Sequence, residues 1–490
     1  MGALEPTTTL GFLLLTLEVV LRLVALGVIP GNRKPSTGMA WLLLILVEPI
    51  IGFTIFQLFG RTRLEGRRMA RQRRAIEAVR APSEALHLDY DEATIPAELR
   101  TVAELNRRLG ALPMSGGNEV QLWPDYAGVI NEMAAEVDRA RSFVHVEFYI
   151  TAWDEVTDPL FQALVRATER GVVCRMLFDH LGSRGIPGYH SMLRRLRGTE
   201  IRWRPMLPIQ PLRGRFRRPD LRNHRKILVV DGSVGFTGSL NLTEPGYNKP
   251  KNHRLGREWV ELMVRLEGPV VGALNAVFAT DWYVETAEAV DLVPVHGAPD
   301  RRPDEVFEVP CQVVPSGPGI VAENNLRMFT ALIYSATERI SLTSPYFVPD
   351  ESLLYAVTTA AQRGVDVELF VSEVSDQFMV GHAQASYYRA LLDAGVRIYQ
   401  YPAPFVLHAK HFTVDDKVAV VGSSNMDMRS FGLNFEVSLM LPDPEVVVKL
   451  REVEDTYRAL SHELTLDRWR ERPARTKYVD NVMRLTAALQ

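Results

Sequence analysis

Residues 224–241 read HRKILVVDGSVGFTGSLN, and residues 408–425 read HAKHFTVDDKVAVVGSSN. Both fit H-x-K, four residues, D, six residues, G-S-x-N. The first copy supplies His224, Lys226, Asp231, Gly238, Ser239 and Asn241; the second supplies His408, Lys410, Asp415, Gly422, Ser423 and Asn425. With 11 histidines in 490 residues, two copies that agree at every offset are beyond coincidence. They read as the marks of a duplicated unit.

The flanking sequence repeats in the same order. Residues 142–150 (SFVHVEFYI) read as a strand, 158–171 (DPLFQALVRATERG) as a helix and 172–179 (VVCRMLFD) as a buried strand. Their counterparts are 339–348 (RISLTSPYFV), 351–364 (ESLLYAVTTAAQRG) and 365–373 (VDVELFVSE). The helix-ending glycines Gly171 and Gly364 lie 193 residues apart, and the motif histidines 184 apart. A nearly constant offset predicts a duplicated α/β unit, a sheet with helices on both faces. Within each motif, His and Lys are two apart on a strand and face the same way. The Asp falls at a turn, and a second short strand leads into G-S-x-N, where glycine would let the backbone approach a ligand.

Two such sets, brought together, make one pocket with two imidazoles and two lysines. The fitting chemistry is displacement at a phosphodiester. One imidazole attacks phosphorus to give a phosphohistidine, and the other protonates the departing alcohol and deprotonates the incoming one. The catalytic set expected is His224, Lys226, Asp231, His408, Lys410 and Asp415; Ser239, Asn241, Ser423 and Asn425 are expected to join the lysines in binding the phosphate. Cys174 and Cys311 are the only cysteines, too few for a disulfide framework or a structural zinc site. No metal and no cofactor are expected. A net charge of −3 argues against nucleic-acid binding through overall charge.

Two apolar runs, 10–29 and 39–59, are each long enough to cross a bilayer and predict an N-terminal two-helix transmembrane hairpin. A secretory signal peptide is disfavoured, because the first run lacks a basic start and a small-x-small cleavage site. The connector holds Arg33 and Lys34, whereas Arg61, Arg63, Arg67, Arg68, Arg71, Arg73 and Arg74 follow the second run. The positive-inside rule then puts the rest of the chain in the cytoplasm. Glu18, Arg22 and Glu48 lie inside the runs; Arg22 is expected to pair with Glu18 along its helix and with Glu48 across the hairpin. Arg213, Arg215, Arg217, Arg218 and Arg222, just before the first motif, suit anionic headgroups as well as they suit a solvated loop. The tail, with Trp469, Tyr478, Val482, Met483, Leu485 and Leu489 among basic residues, reads either as an interfacial helix or as one packed on the body.

The duplicated motif resembles that of the phospholipase D superfamily. PSTGMAWLLL (35–44), EFYI (147–150), VVPSGPG (313–319) and NMDMRSFGLNFE (425–436) resemble its bacterial cardiolipin synthase branch, over nearly the whole chain. That resemblance implies two tandem phospholipase D-like α/β/α sandwich domains with pseudo-twofold symmetry, at 111–300 and 301–466. They follow the hairpin (1–60) and a basic helical connector (61–110), and precede an amphipathic tail (467–490). It implies conversion of two phosphatidylglycerol molecules, donor and acceptor, to cardiolipin and glycerol at the bacterial inner membrane, through a phosphatidyl-histidine. His224 is implied as nucleophile and His408 as acid/base, though the symmetric motifs allow the reverse. In the family an acidic residue after each motif orients a histidine. Glu436 fits in the second half, while the first offers Glu258 and Glu261 without deciding between them. The alternatives are a hydrolase of the same type releasing phosphatidic acid and, less favoured, a nucleic-acid phosphodiesterase. The motifs alone do not separate them.

Overall fold

Each motif forms the antiparallel pair that its apolar runs predict. Lys226–Val230 pairs with Val234–Gly238, and His411–Val414 with Val418–Gly422, every residue buried. The computed structural model describes residues 9–31, 35–60, 66–85, 95–209, 220–290, 309–320 and 323–485. Arg33, Lys34, Arg61, Arg63, Arg213, Arg215, Arg217, Arg218 and Leu489 lie outside them. Two units are present, an N-terminal one up to Arg63 and a body from Leu64 onward.

In the body, one mixed sheet carries both repeats, and its strand order reads the same outward from the join. From the outside in, the first repeat runs Arg202–Met206, Val173–Asp179, Phe143–Phe148, Lys226–Val230, Val234–Gly238, Met263–Glu267, Ser115–Trp123. The second, inside an added edge strand His462–Leu464, runs Arg397–Tyr401, Asp366–Ser372, Arg339–Thr343, His411–Val414, Val418–Gly422, Asn434–Leu441, Val309–Ser316. The innermost strands pair antiparallel, Ser115 opposite Cys311. The repeats therefore share a sheet rather than forming separate compact units.

Helices Asp158–Glu169 and Glu351–Gln362 stand where the sequence predicts them. Leu160, Phe161, Leu164 and Ala167 make the buried stripe of the first, and Leu353, Ala356, Val357 and Ala360 that of the second. Gly171 (φ 88°) and Gly364 (φ 93°) end these turns in the left-handed region.

Within the basic helical connector expected at 61–110, both described helices pack on the body. Helix Gly66–Ala85 packs on helix Val270–Thr286, and the nearly buried Arg68 is ion-paired with Glu285. Helix Ala97–Arg108 buries Leu99 and Val102 in the second repeat's core, and Asn106 Nδ2 donates to Gln312 Oε1 at 2.9 Å. Burial of these side chains makes both helices part of the body. The tail also packs back. Helix Ala474–Arg484 lies on helix Phe378–Asp393, with His382 Nδ1 2.7 Å from Asp480 and Arg484 over the Tyr387 ring.

The N-terminal unit differs from the hairpin expectation in its second segment. Helix Thr9–Val28 is apolar apart from Glu18, Arg22 and its threonines, and Gly11–Val28 is long and apolar enough to cross a membrane. The second run is two shorter helices, Pro35–Val47 and Pro49–Ile55, followed by a π turn, Phe56–Gly60. Pro49 has no N–H to give to the preceding turn, and the chain bends so sharply that Gly52 lies against Leu44 and Ile45. Arg22 pairs with Glu18 at 3.3 Å as expected, but across the unit its Nε reaches the Leu46 carbonyl at 3.2 Å, not Glu48. A carbonyl beside the proline bend supplies an acceptor without a second ionised group.

Candidate active site

Two short parallel strand pairs cross the repeats over one another. Arg222–Asn223 lies beside Asn434–Phe435, and Val406–Leu407 beside Trp259–Val260. Each pair delivers the next residue: His224 N donates to the Phe435 carbonyl at 2.8 Å, and His408 N to the Val260 carbonyl at 2.7 Å. Each histidine thereby meets a glutamate of the other repeat. His224 Nδ1 is 2.9 Å from Glu436 Oε2, and His408 Nδ1 is 2.7 Å from Glu261 Oε1. All four side chains are buried. Glu261 is thus the first-repeat counterpart of Glu436, while Glu258 is exposed.

The G-S of each motif acquires its reason here. A Cβ at Gly238 would strike the Leu262 carbonyl, and one at Gly422 the Val437 carbonyl, each one residue after a glutamate of the pair. Glycine lets strand approach strand, not backbone approach ligand. The following serines use that closeness. Ser423 Oγ donates to Glu436 Oε2 at 2.5 Å and accepts from Val437 N at 3.0 Å; Ser239 Oγ accepts from Leu262 N at 2.9 Å and stands against Glu261. Ser239 and Ser423 were expected on the phosphate; their hydroxyls instead serve the carboxylates and the neighbouring strands. Asn241 Nδ2 donates to the Tyr247 hydroxyl at 2.7 Å, and its Oδ1 takes Ile150 N at 3.3 Å. Asn425 is buried, with no partner on Oδ1 among the described residues.

Asp231 and Asp415 do not join the histidines. Each follows the far end of its strand, at a left-handed residue (φ 53° and 49°). Asp231 accepts the backbone N–H groups of Arg141, Ser142 and Phe143 at 2.7–2.9 Å. Asp415 accepts those of Thr337, Glu338 and Arg339 at 2.8–3.2 Å. An aspartate tolerates this turn conformation, and its carboxylate satisfies the N–H groups where the neighbouring strand begins. The motif's aspartate is a register lock between strands rather than a reacting group.

The two His–Glu pairs are unequal. Glu436 has His224 and Ser423 on one oxygen and Asn434 Nδ2 at 3.4 Å on the other. Burial opposes its charge, but His224, Lys226 and Ser423 outweigh this and hold it below the ordinary carboxylate range. His224 Nδ1 faces two acceptors, Glu436 and the Ser423 carbonyl at 2.9 Å, so it carries the proton and Nε2 keeps the lone pair. Burial, against the pull of Glu436, brings this imidazole down to about 4. In the other pair Glu261 Oε2 has no hydrogen-bond partner among the described residues. Burial pushes Glu261 up to about 8 in spite of Lys410 and Lys226, and burial with Lys410 holds His408 well below its usual value. One ionised and one proton-bearing carboxyl group result.

Lys226 Nζ donates to the His224 carbonyl at 2.5 Å, and Lys410 Nζ to that of His408. Burial brings Lys226 down to about 7 and Lys410 to about 8. Tyr149 meets His224 edge-on with ring centroids 4.9 Å apart, and Tyr346 meets His408 at 6.2 Å. Arg225 turns away from the site. It is ion-paired with Asp281, and its Nε donates to the Glu436 carbonyl at 3.0 Å, tying that strand to helix Val270–Thr286. Arg222, expected in an exposed basic loop, is buried and pairs with Asp179 at 3.0 Å.

Fold and site are those of a phospholipase D-like protein: residues 133–282 and 329–455 match the family described as cardiolipin synthase, PLD-like domain. The chain belongs to that cardiolipin synthase family. It is 35% identical over 455 residues, 92% of either chain, to cardiolipin synthase A of Yersinia pseudotuberculosis serotype IB (strain PB1/+), and equally to that of Yersinia pestis. The solved phosphatidylserine synthase of Haemophilus influenzae Rd KW20 superposes with a TM-score of 0.58 at 14% identity, covering 80% of this chain and all of that one, a likeness of fold alone.

Proposed function

We propose that the protein is a membrane-bound phosphatidyltransferase that condenses two phosphatidylglycerol molecules to cardiolipin and glycerol. The observation that carries this is the crossed, unequal pair of His–Glu contacts, set between two buried lysines in a chain of the cardiolipin synthase family. His224 Nε2 attacks phosphorus of the first lipid. The P–O bond to its glycerol headgroup breaks, and the departing oxygen takes the proton held by the His408–Glu261 pair. The primary hydroxyl of the second lipid then gives its proton to His408, its oxygen attacks phosphorus, and the P–N bond to His224 breaks. Cardiolipin leaves and the starting protonation is restored. Lys226 and Lys410, with the amides of Asn241 and Asn425, hold the non-bridging oxygens as charge develops.

The two repeats act as tandem phospholipase D-like domains around a pseudo-twofold axis, each supplying the other's glutamate. The apolar N-terminal unit anchors the chain in the bacterial inner membrane. The arginine-rich stretch that follows it keeps the body on the cytoplasmic side, as the positive-inside rule favours. Purified protein in phosphatidylglycerol vesicles tests the proposal. Cardiolipin and glycerol are expected in equal amounts, with both products lost in His224→Ala and His408→Ala. Phosphatidic acid as the sole lipid product would identify a hydrolase instead.

A further inference from the structure

The repeats differ in length where the first motif leads to its glutamate. Twenty positions separate Asn241 from Glu261, but only eleven separate Asn425 from Glu436. The extra residues form a loop and a short helix, Pro250–Leu255, built on a strained base: Tyr247 and Asn248 are consecutive left-handed residues (φ 62° and 54°). A polar scaffold holds them. Asp154 Oδ2 accepts from Glu244 N and Asn248 Nδ2, both at 2.9 Å, and Asn252 Nδ2 donates to the Gly246 carbonyl at 2.9 Å. The strain aims the Tyr247 ring inward, where its hydroxyl meets Asn241 and its neighbours in charge are Glu261, Asp376 and Tyr149.

The insertion also carries the cations Lys249 and Arg257. Lys249 Nζ is 5.9 Å from the Tyr247 ring centroid and exposed. Arg257 is half-buried, its Nε buried without a hydrogen-bond partner among the described residues, and it lies two residues before Trp259–Val260, the strand beside Val406–Leu407 that precedes His408. Among the described residues neither has a carboxylate within ion-pair distance. Both act on Asp376, whose carboxylate takes the hydroxyl of Tyr346, the ring beside His408.

We propose that Lys249 and Arg257 form an acceptor subsite for the phosphodiester anion of the second phospholipid. The inference rests on the phosphatidyl-transfer reading. An acceptor lipid presents its hydroxyl to His408 across a three-carbon glycerol, so its own phosphate lies outside the Lys226–Lys410 pair and needs separate cations. The second motif has no counterpart of this insertion, so the loop distinguishes acceptor side from donor side. Water and soluble alcohols carry no such anion, and the subsite would favour a charged lipid over them.

The test is a partition of products. Full-length protein in phosphatidylglycerol vesicles is given labelled glycerol, so the phosphatidyl group passes either to a lipid, giving cardiolipin, or to glycerol, giving labelled phosphatidylglycerol. Lys249→Gln/Arg257→Gln should lower the ratio of cardiolipin to labelled phosphatidylglycerol about tenfold, and Lys249→Arg/Arg257→Lys should restore most of it. Inorganic phosphate should lower the ratio in the unaltered protein and not in the Gln double variant. An equal loss of both products in the double variant would overturn the subsite. So would a ratio that responds to inorganic phosphate but not to the substitutions. If the unaltered protein makes neither product, the transfer reading falls, and the subsite with it.

Discussion

At His224 two acceptors fix the proton on Nδ1, and at His408 the facing carboxyl group is the one that burial protonates. This difference makes the two glutamates unequal under substitution. Glu436→Gln removes a charge that sets tautomer and basicity, and kcat should fall roughly 100- to 10,000-fold. Glu261→Gln removes the proton that the departing oxygen takes, so kcat should fall by a similar factor but recover on a donor whose leaving alcohol needs no proton, as Glu436→Gln should not; a loss that persists on such a donor would show that Glu261 does not serve the acid step. The pH dependence has the same origin. As pH falls toward about 4, His224 gains a proton and loses its nucleophilic lone pair, so kcat/KM should drop on the acid side. As pH rises through 7 to 8, Lys226 (about 7) and Lys410 (about 8) lose charge and Glu261 (about 8) gives up its proton, so it should drop again. A profile still rising at pH 9 would contradict these roles.

Among the elements, the turn after each motif strand carries a different kind of prediction. Asp231→Ala and Asp415→Ala each leave three backbone N–H groups without their acceptor, at a cost of about 2–4 kcal/mol. Denaturant unfolding should show that loss, while the folded fraction keeps most of its kcat. Helix Gly66–Ala85 offers a second case. Arg68→Ala strands Glu285 in a nearly buried position and should cost about 3–5 kcal/mol, whereas Arg68→Met/Glu285→Leu should recover much of it. The sequence showed where each histidine and lysine would stand, because an H-x-K on a strand is a local pattern. It put the aspartates at a turn, where they stand, and also among the catalytic residues, whose histidines they do not reach. Run length alone predicts a full second span, whereas Pro49 inside that run ends one helix and bends the chain.

On the scale of the whole molecule, the crossing of the repeats was the feature that sequence alone concealed. His224 and Glu436 are 212 residues apart, His408 and Glu261 are 147 apart, and no local pattern says which strand will lie beside which. Duplication predicted two similar halves, and each half holds its histidine with the other's carboxyl group. Neither 1–300 nor 301–490 produced alone should turn over phosphatidylglycerol, since each lacks a partner for its histidine. The choice of Glu261 over Glu258 follows from the same crossing, because Glu261, directly after the strand Trp259–Val260, meets His408, while Glu258 is exposed.

The most direct measurement follows the phosphatidyl group itself. Full-length protein is quenched during turnover of phosphatidylglycerol labelled in its acyl chains, then digested and mapped for lipid-bearing peptides. The account predicts a phosphatidyl adduct on His224 that is absent from His224→Ala, together with cardiolipin and glycerol in equal amounts from the unaltered protein. An adduct on His408, or phosphatidic acid formed without cardiolipin, would contradict it.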